Sequence, residues 1–408
     1  MLKVLYLVHD LADPAVRRRV LMLVAGGAQL TLAGFRRNEN TLAAVEGVTP
    51  IELGVTADGR FAQRIGAVTR ACLAIGSKLA NVAKPDVILA RNLEMLAVAN
   101  RAKSFFGGDI PLAYECLDIH RLLLRDDIVG KALRGMEARL GRKARLLITS
   151  SPAFIEHYFR PLSGLTMPSL LLQNQVLDLD DDAGIGADAA MTAPRSRAPA
   201  EPWRIGWFGA LRCAKSLELL SKFSHAMSGR AEIVLRGRPA YSEFNDFDGF
   251  VFNEPFMSFE GPYRNPEDLV RIYSGVHFSW AIDFFEEGQN SSWLLPNRLY
   301  ESCRYGAVPI ALENTETARF LRDRGLGFIL PDAEPDTLVA FFETMNDETY
   351  WEAVERIRAQ GPAPWTFNRA DCERLVKRLS TLAASSQPAC SARPLAEPVA
   401  LKETYHDE

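Results

Sequence analysis

KVLYLVHDLADPAVRRRVLMLVAGGAQLTLAGF, residues 3–35, decides the fold class. KVLYLV is an almost unbroken apolar run, the pattern of a parallel strand covered on both faces. Asp13 can cap a helix and Pro14 suits its first position; Val16, Val20, Leu23 and Val24 then share one face until Gly26-Gly27 ends it. AQLTLAGF reads as the next strand. Strand, helix, strand is the unit of a parallel crossover sheet.

The alternation continues through DVILA (86–90), PLAYE (111–115), RLLITS (145–150) and SLLLQN (169–174), with room for helices between. Residues 1–177 therefore read as one doubly wound α/β domain. Residues 178–203, DLDDDAGIGADAAMTAPRSRAPAEPW, can bury little and read as a flexible linker. A second α/β series spans 204–384: strands RIGWF (204–208), AEIVLRG (231–237), VHFSWA (276–281), AVPIAL (307–312) and GFIL (327–330), then terminal helices from Leu338 onward. Residues 385–408 read as a disordered tail. Two successive Rossmann-like domains are expected to face one another across a cleft bordered by the loops at their strand ends.

Composition narrows the class. The chain has 408 residues, 48% of them hydrophobic, enough for two cores. No run of eighteen uncharged apolar residues occurs, and the start turns charged before a secretory apolar core could form, so a cytoplasmic protein is expected. The six cysteines stand singly and suggest neither zinc nor a disulfide framework. Net charge is split: residues 1–178 carry 23 Lys and Arg against 16 Asp and Glu, a net of +7, and the remainder nets −11. Between Arg60 and Lys84 five basic residues and no acid alternate with apolar ones at helical spacing, the pattern either of a solvated helix face or of a contact with an anionic membrane. Nucleic acid is disfavoured, since no aromatic platform accompanies the basic residues.

The second domain contains LLPNRLYESCRYGAVPI (294–310). Asn297 reads as an N-cap, Gly306 as the residue closing the helix, and AVPIAL as a buried strand. Glu301 would lie in the first turn, against the positive end of the helix dipole.

Several stretches together resemble the GT-B glycosyltransferases, nearest to the retaining, family-four-like enzymes that build bacterial exopolysaccharides and lipid-linked glycans. DPAVRRRVLMLVAGGAQLTL is similar to that family's DPRVRRxAxxLxxxGxxV, with Ala15 in place of an arginine. KPDVILARNLEML and PLAYECLDIH resemble its next strands and loops, and LLPNRLYESCRYGAVPI is similar to LPNKLFEYMAAGLPVI, the most specific match. The matches span roughly residues 1–375.

The resemblance implies a hexosyltransferase that moves a sugar from a nucleotide-sugar donor to a glycan or polyprenyl-linked acceptor. Glu301 would accept the ribose hydroxyls, with Asn297 and Arg298 matching the family's Asn-Lys pair. In WFGALRCAKSLELL, Gly209, Arg212 and Lys215 would serve the diphosphate; Lys215 matches the family lysine, while Ala210 occupies the arginine position. The family's second glutamate falls on Trp293, so Asn290 and Ser291 are the candidates near the sugar. In the first domain the resemblance points to His120, then His9, near the transferred group. Asp118 or Asp10 could act as base if the enzyme inverts. No cofactor and no metal are expected: DLD (178–180) and DFD (246–248) read as solvated acid clusters. Two other readings are a nucleotide-sugar 2-epimerase, which would want a Gly-Thr-Arg-rich loop that HDLADP does not supply, and a catalytically degenerate binding or assembly protein, prompted by Ala210 and Trp293. Peripheral attachment at the inner face of the cell membrane, through residues 60–84, would suit a lipid-linked acceptor.

Overall fold

The structure is a computed structural model that describes residues 1–37, 44–56, 61–179, 192–198, 200–384 and 399–401. The chain forms two compact units, one of residues Met1–Gln173 with Asn368–Glu408, the other of Asn174–Phe367.

In the first unit the opening sequence folds as its pattern dictates: β1 (Lys3–Val8), α1 (Pro14–Ala25) and β2 (Gln29–Arg36). The Asp13 carboxylate accepts from the Ala15 amide at 2.8 Å, and Pro14 opens the helix. Val16, Val20 and Leu23 are buried, whereas Val24 is exposed. There follow β3 (Ile51–Val55), α2 (Phe61–Lys78), β4 (Val87–Arg91), α3 (Asn92–Phe105), β5 (Leu112–Glu115), α4 (Ile128–Gly141), β6 (Ala144–Thr149), the short α5 (Pro152–Phe154), which continues as a π-helical turn, and β7 (Ser169–Leu171). β3 is too short and mixed in its pattern to announce itself.

The second unit holds β8 (Val176–Leu177), β9 (Trp203–Leu211), α6 (Ala214–Met227), β10 (Ala231–Pro239), α7 (Phe247–Phe252), β11 (Met257–Phe259), α8 (Leu269–Tyr273), β12 (Phe278–Trp280), α9 (Asn290–Trp293), α10 (Asn297–Tyr305), β13 (Val308–Leu312), α11 (Glu316–Arg324), β14 (Phe328–Leu330), α12 (Pro335–Thr344), α13 (Asp347–Ala359) and β15 (Thr366–Phe367). The chain then returns to the first unit as α14 (Arg369–Ala384) and β16 (Val399–Ala400).

Each unit has its own parallel sheet. The first runs in the order β16-β7-β6-β5-β4-β1-β2-β3, the second β11-β10-β9-β12-β13-β14, and β15 pairs with β8 in a separate ribbon. In both large sheets the chain steps outward in one direction and then starts again on the other side of its first strand. The reversal falls between β1 and β4 in the first unit and between β9 and β12 in the second. Open α/β sheets bind ligands at such a switch point, beyond the C-terminal ends of the strands.

Three expected boundaries change. Residues 369–384 do not belong with the second domain: α14 packs on α1, so closely that a Cβ on Gly26 would lie 2.3 Å from the Cys372 carbonyl oxygen. The linker expected at 178–203 is in part a built surface, where Tyr350 donates to the Arg195 carbonyl at 3.0 Å and the Arg197 guanidinium sits 4.1 Å over the Trp203 ring. A planar guanidinium on an indole, with an ion pair from Arg197 to Asp347, anchors a stretch whose composition alone suggested none. Residues 180–191 and 199 lie outside the described residues. Of the tail, residues 399–400 pair with β7, and 385–398 and 402–408 lie outside the described residues.

Candidate active site

In the second unit, β9 and β10 run side by side to their ends at Leu211 and Pro239, and Gly209 (φ +109°) lies opposite Gly237 (φ +135°) two residues before them. A Cβ on Gly237 would stand 1.8 Å from the Gly209 carbonyl oxygen, so this close approach of two strand ends requires glycine. The Tyr263 hydroxyl, from the loop after β11, lies 3.9 Å from where a Gly209 Cβ would be. Beyond Gly209 the chain carries Arg212 and enters α6, with Cys213 at the N-cap and Lys215 in the first turn. Cations and helix amide groups thus gather at one strand end, an arrangement suited to an anion.

Both cations face the segment that follows β12, across the switch point. The Arg212 Nη2 lies 3.3 Å from Asp283 Oδ2, and its guanidinium 4.6 Å over the Phe285 ring. Lys215 Nζ donates to both oxygens of Glu287 at 2.8 Å and stands 4.5 Å over the Phe284 ring. The buried Asp283 carboxylate also accepts from the Phe285 amide at 3.0 Å, which fixes the turn.

Glu301 is only 6% exposed. Its Oε2 accepts from the Tyr273 hydroxyl at 2.7 Å and its Oε1 from Asn265 Nδ2 at 3.1 Å. Burial, then the Glu301 charge, pushes the Tyr273 hydroxyl well above its ordinary pKa, so it remains a donor. Tyr263 is raised for the same two reasons, with Arg298 opposing. Arg298 is half-buried, and its Nη1 is enclosed with no hydrogen-bond partner among the described residues. Gly209, Tyr263, Arg298 and Glu301 thus form one neighbourhood.

The helix start differs from expectation. Pro296 occupies the cap position and makes no side-chain cap bond, while Asn297 is the first helical residue and is exposed. Proline fixes the extended backbone there, displacing the cap by one residue. Glu301 consequently lies one turn inside the helix, past the reach of its dipole, and is held by Tyr273 and Asn265 instead. Gly306 closes the helix at φ +90° as anticipated. Asn290 and Ser291 are buried in α9, and the Ser291 hydroxyl accepts from the Glu286 amide at 2.9 Å, so it shapes its own loop. In the DFD segment, Asp246 caps α7 by accepting from the Gly249 amide at 2.9 Å.

In the first unit His9 sits at the switch point. Its Nδ1 is 3.3 Å from Asn92 Nδ2, and its Nε2 is 3.7 Å from Asp13 Oδ2. Asn92 adopts a left-handed backbone (φ +68°), tolerated by asparagine, that turns β4 into α3 beside the histidine. Burial, reinforced by the Arg91 charge, lowers the His9 pKa to about 4. Beneath lies a buried network: the Glu115 carboxylate accepts from Tyr6 (2.6 Å), Arg19 (2.6 Å) and Arg91 (3.0 Å), and Arg91 continues to Asp13 at 3.4 Å. Burial alone would raise the pKa of Glu115, but Arg19 and Arg91 outweigh it and hold it at about 2. Glu115 is therefore an internal anchor of the first unit.

His120 and Asp118 follow β5 and are exposed. The His120 Nδ1 accepts from the Leu122 amide at 3.3 Å, capping a 3₁₀ turn. Partial burial lowers its pKa. Asp10 accepts from the Ala12 amide at 3.0 Å and pairs with Arg37 at 3.4 Å, both of which stabilise its loop.

The pattern of the chain did not single out Tyr263, Asn265 and Tyr273, because β11 is too short to signal that GPYRNPEDL is a strand-end loop. Arg91-Asn92, closing DVILA, was a visible strand-end pair whose role emerges only once β4 lies beside β1.

No family profile matches the chain. In fold the protein is similar to the sucrose-phosphate synthase of Thermosynechococcus elongatus (TM-score 0.69, 14% identity, 95% of this chain and 100% of that one). It is also similar to HepE of Anabaena in complex with UDP and glucose (TM-score 0.63, 15% identity, 93% and 100%), and to a glycosyltransferase of Rickettsia africae (TM-score 0.65, 11% identity, 94% and 99%). In sequence it is 65% identical over 382 residues, 94% of each chain, to the succinoglycan biosynthesis protein ExoL of Rhizobium meliloti (strain 1021). The chain thus carries the GT-B fold and belongs to the ExoL family.

Proposed function

We propose that the protein is a sugar-nucleotide-dependent glycosyltransferase of exopolysaccharide synthesis, with its donor site at the switch point of the second unit. The observation that carries this reading is the neighbourhood of Gly209, Tyr263, Arg298 and Glu301: a fixed carboxylate and an incompletely paired guanidinium beside a strand end that only glycine permits. The relative is named for succinoglycan biosynthesis, and the Anabaena protein of the same fold binds UDP.

In this reading Glu301 accepts the ribose hydroxyls, which share its oxygens with Tyr273 and Asn265. The diphosphate lies against the Gly209 backbone and the start of α6, where Arg212 and Lys215 neutralise the charge that develops on the leaving group. Asn297 and Arg298 stand at the head of α10 as the remaining donor contacts, and Asn290 with Ser291 shape the sugar end. Positive charge comes from the protein, so no metal is invoked. His120, His9 and Asp118 are the acceptor-side groups.

The reaction is read as retaining. The acceptor oxygen bonds to the anomeric carbon on the face from which the phosphate departs, the bond from that carbon to the phosphate oxygen breaks, and the departing phosphate takes the acceptor proton. The acceptor is a glycan or polyprenyl-linked glycan, met by the basic first unit at the inner face of the cell membrane.

A thermal-shift panel of nucleotide sugars tests the donor assignment, since a ligand that binds only the folded state raises its stability. The expected result is a rise with one donor that is lost in Glu301→Ala. A panel in which no nucleotide sugar stabilises the wild type would sink the reading.

A further inference from the structure

The basic stretch at 60–84 does not provide the whole membrane surface expected of it. Arg60 lies outside the described residues, and Arg64 is paired with Glu94 at 3.2 Å. The inner line of α2 is Ala67, Ala71 and Ile75, with Leu79 buried just past its end; its outer side presents Arg70 and a 77% exposed Leu73. The more pronounced surface is on α4, which packs on the other side of α3.

In α4 the buried positions are Gly130, Glu137 and Gly141. Glu137 accepts from the Tyr114 and Tyr158 hydroxyls at 2.6 Å each, which pins this line of the helix inward. On the opposite line Ile128, Ala132 and Met136, spaced by four, are all exposed, Ile128 at 83% and Met136 at 52%, and Val129 is exposed beside them. Lys131 and Arg139 are exposed on the same side. A helix that turns aliphatic side chains outward along one row, between cations, has the makeup of an interfacial helix.

Charge identifies the partner. Helices α2, α3 and α4 carry three, two and three Lys or Arg. Their acids are Glu94, paired with Arg64, and Glu137, buried beneath its two tyrosines. Asp126 and Asp127 precede the first turn of α4, where Asp127 caps Gly130 and pairs with Arg125. The outer side of α4 itself presents no acid.

We propose that the outer face of α4 docks on an anionic lipid bilayer, with Ile128, Ala132 and Met136 entering the headgroup boundary and Lys131 and Arg139 meeting lipid phosphates. The proposal rests on the reading of a lipid-linked acceptor and names the surface that meets its membrane. Burying an aliphatic side chain of this size contributes on the order of a tenfold gain in binding, and each cation adds less, in a salt-dependent way.

The test is co-sedimentation of the full chain with phosphatidylcholine vesicles, with and without phosphatidylglycerol, at low and high salt. The wild type is expected to bind only the anionic vesicles and to release at high salt. I128E/M136E should lose binding about tenfold or more, and K131E/R139E should lose most of it, both with unchanged melting. Nucleotide-sugar thermal shifts on the same samples separate the two readings. A wild type stabilised by a donor that ignores anionic vesicles overturns the docking alone; one that binds vesicles but no donor overturns the transferase reading alone. Retained vesicle binding in both folded double variants, or a self-associating wild type that I128E/M136E renders monomeric without change in vesicle binding, overturns the proposal.

Discussion

The Tyr273 hydroxyl donates to Glu301 at 2.7 Å, one helix holding the carboxylate of another in place before any ligand meets it. A residue can therefore be lost here in two distinguishable ways. Glu301→Ala should leave the fold intact and weaken nucleotide-sugar binding, because a hydrogen bond to a charged group contributes about 1.5–3 kcal/mol, roughly ten- to a hundredfold in affinity. Tyr273→Phe should instead lower the melting temperature, leaving one carboxylate oxygen short of a partner, with a smaller effect on affinity. Calorimetric titration and melting of both variants check the split.

Lys215 and Glu287 make a second testable pair. Lys215→Ala should weaken binding of the donor's nucleoside diphosphate more than of the bare nucleoside, since it removes charge only from the diphosphate site. Glu287→Gln should do the reverse and tighten nucleoside diphosphate binding, because the anion no longer competes with a carboxylate for Lys215. The pair is about half exposed, so solvent screening limits the gain to about 0.2–1 kcal/mol, less than roughly fivefold. A weaker-binding Glu287→Gln would refute the competition.

Acid should destabilise the first unit in two windows. His9 titrates at about 4 in the fold against about 6.5 unfolded, so between those values the unfolded chain binds more protons and stability falls as the pH drops. Glu115 titrates at about 2 in the fold against about 4.3 unfolded; its contribution is complete above the upper value and is lost as the pH falls toward the lower. His9→Gln should flatten the melting profile in the upper window only. Glu115→Gln should be destabilised at neutral pH by about 3–5 kcal/mol, since Arg19 and Arg91 remain buried without their anion.

Gly26→Ala should loosen α14. The added methyl meets the Cys372 backbone, which can move only if the helix moves, and overpacking of this kind costs about 1–3 kcal/mol. Hydrogen exchange should show faster opening across residues 369–384 than in the wild type.

The central strands of both sheets were legible because a parallel strand buried on both faces must be apolar throughout, as in KVLYLV and DVILA, whereas the short edge strands β3, β11 and β16 gave no such signal. Local signals held too: Asp13 caps its helix and Gly306 closes one. What sequence could not show was contact between distant residues. Tyr273 and Asn265 meet Glu301 across a helix and a loop, and Arg19 meets Glu115 across the first sheet. Nor does periodicity say which unit a helix joins: α14 is amphipathic either way, and the missing side chain of Gly26 chooses its partner.

The return of α14 also sets an order of birth. The first unit comprises Met1–Gln173 and Asn368–Glu408, so its helix α14 and strand β16 leave the ribosome only after all of Asn174–Phe367 has been made. The second unit is one uninterrupted stretch, and β8 near its beginning pairs with β15 at its end. Translation thus delivers the second unit whole while the first still waits for its last helix, with the α1 surface around Gly26 uncovered. The later-numbered unit is the one able to finish folding first.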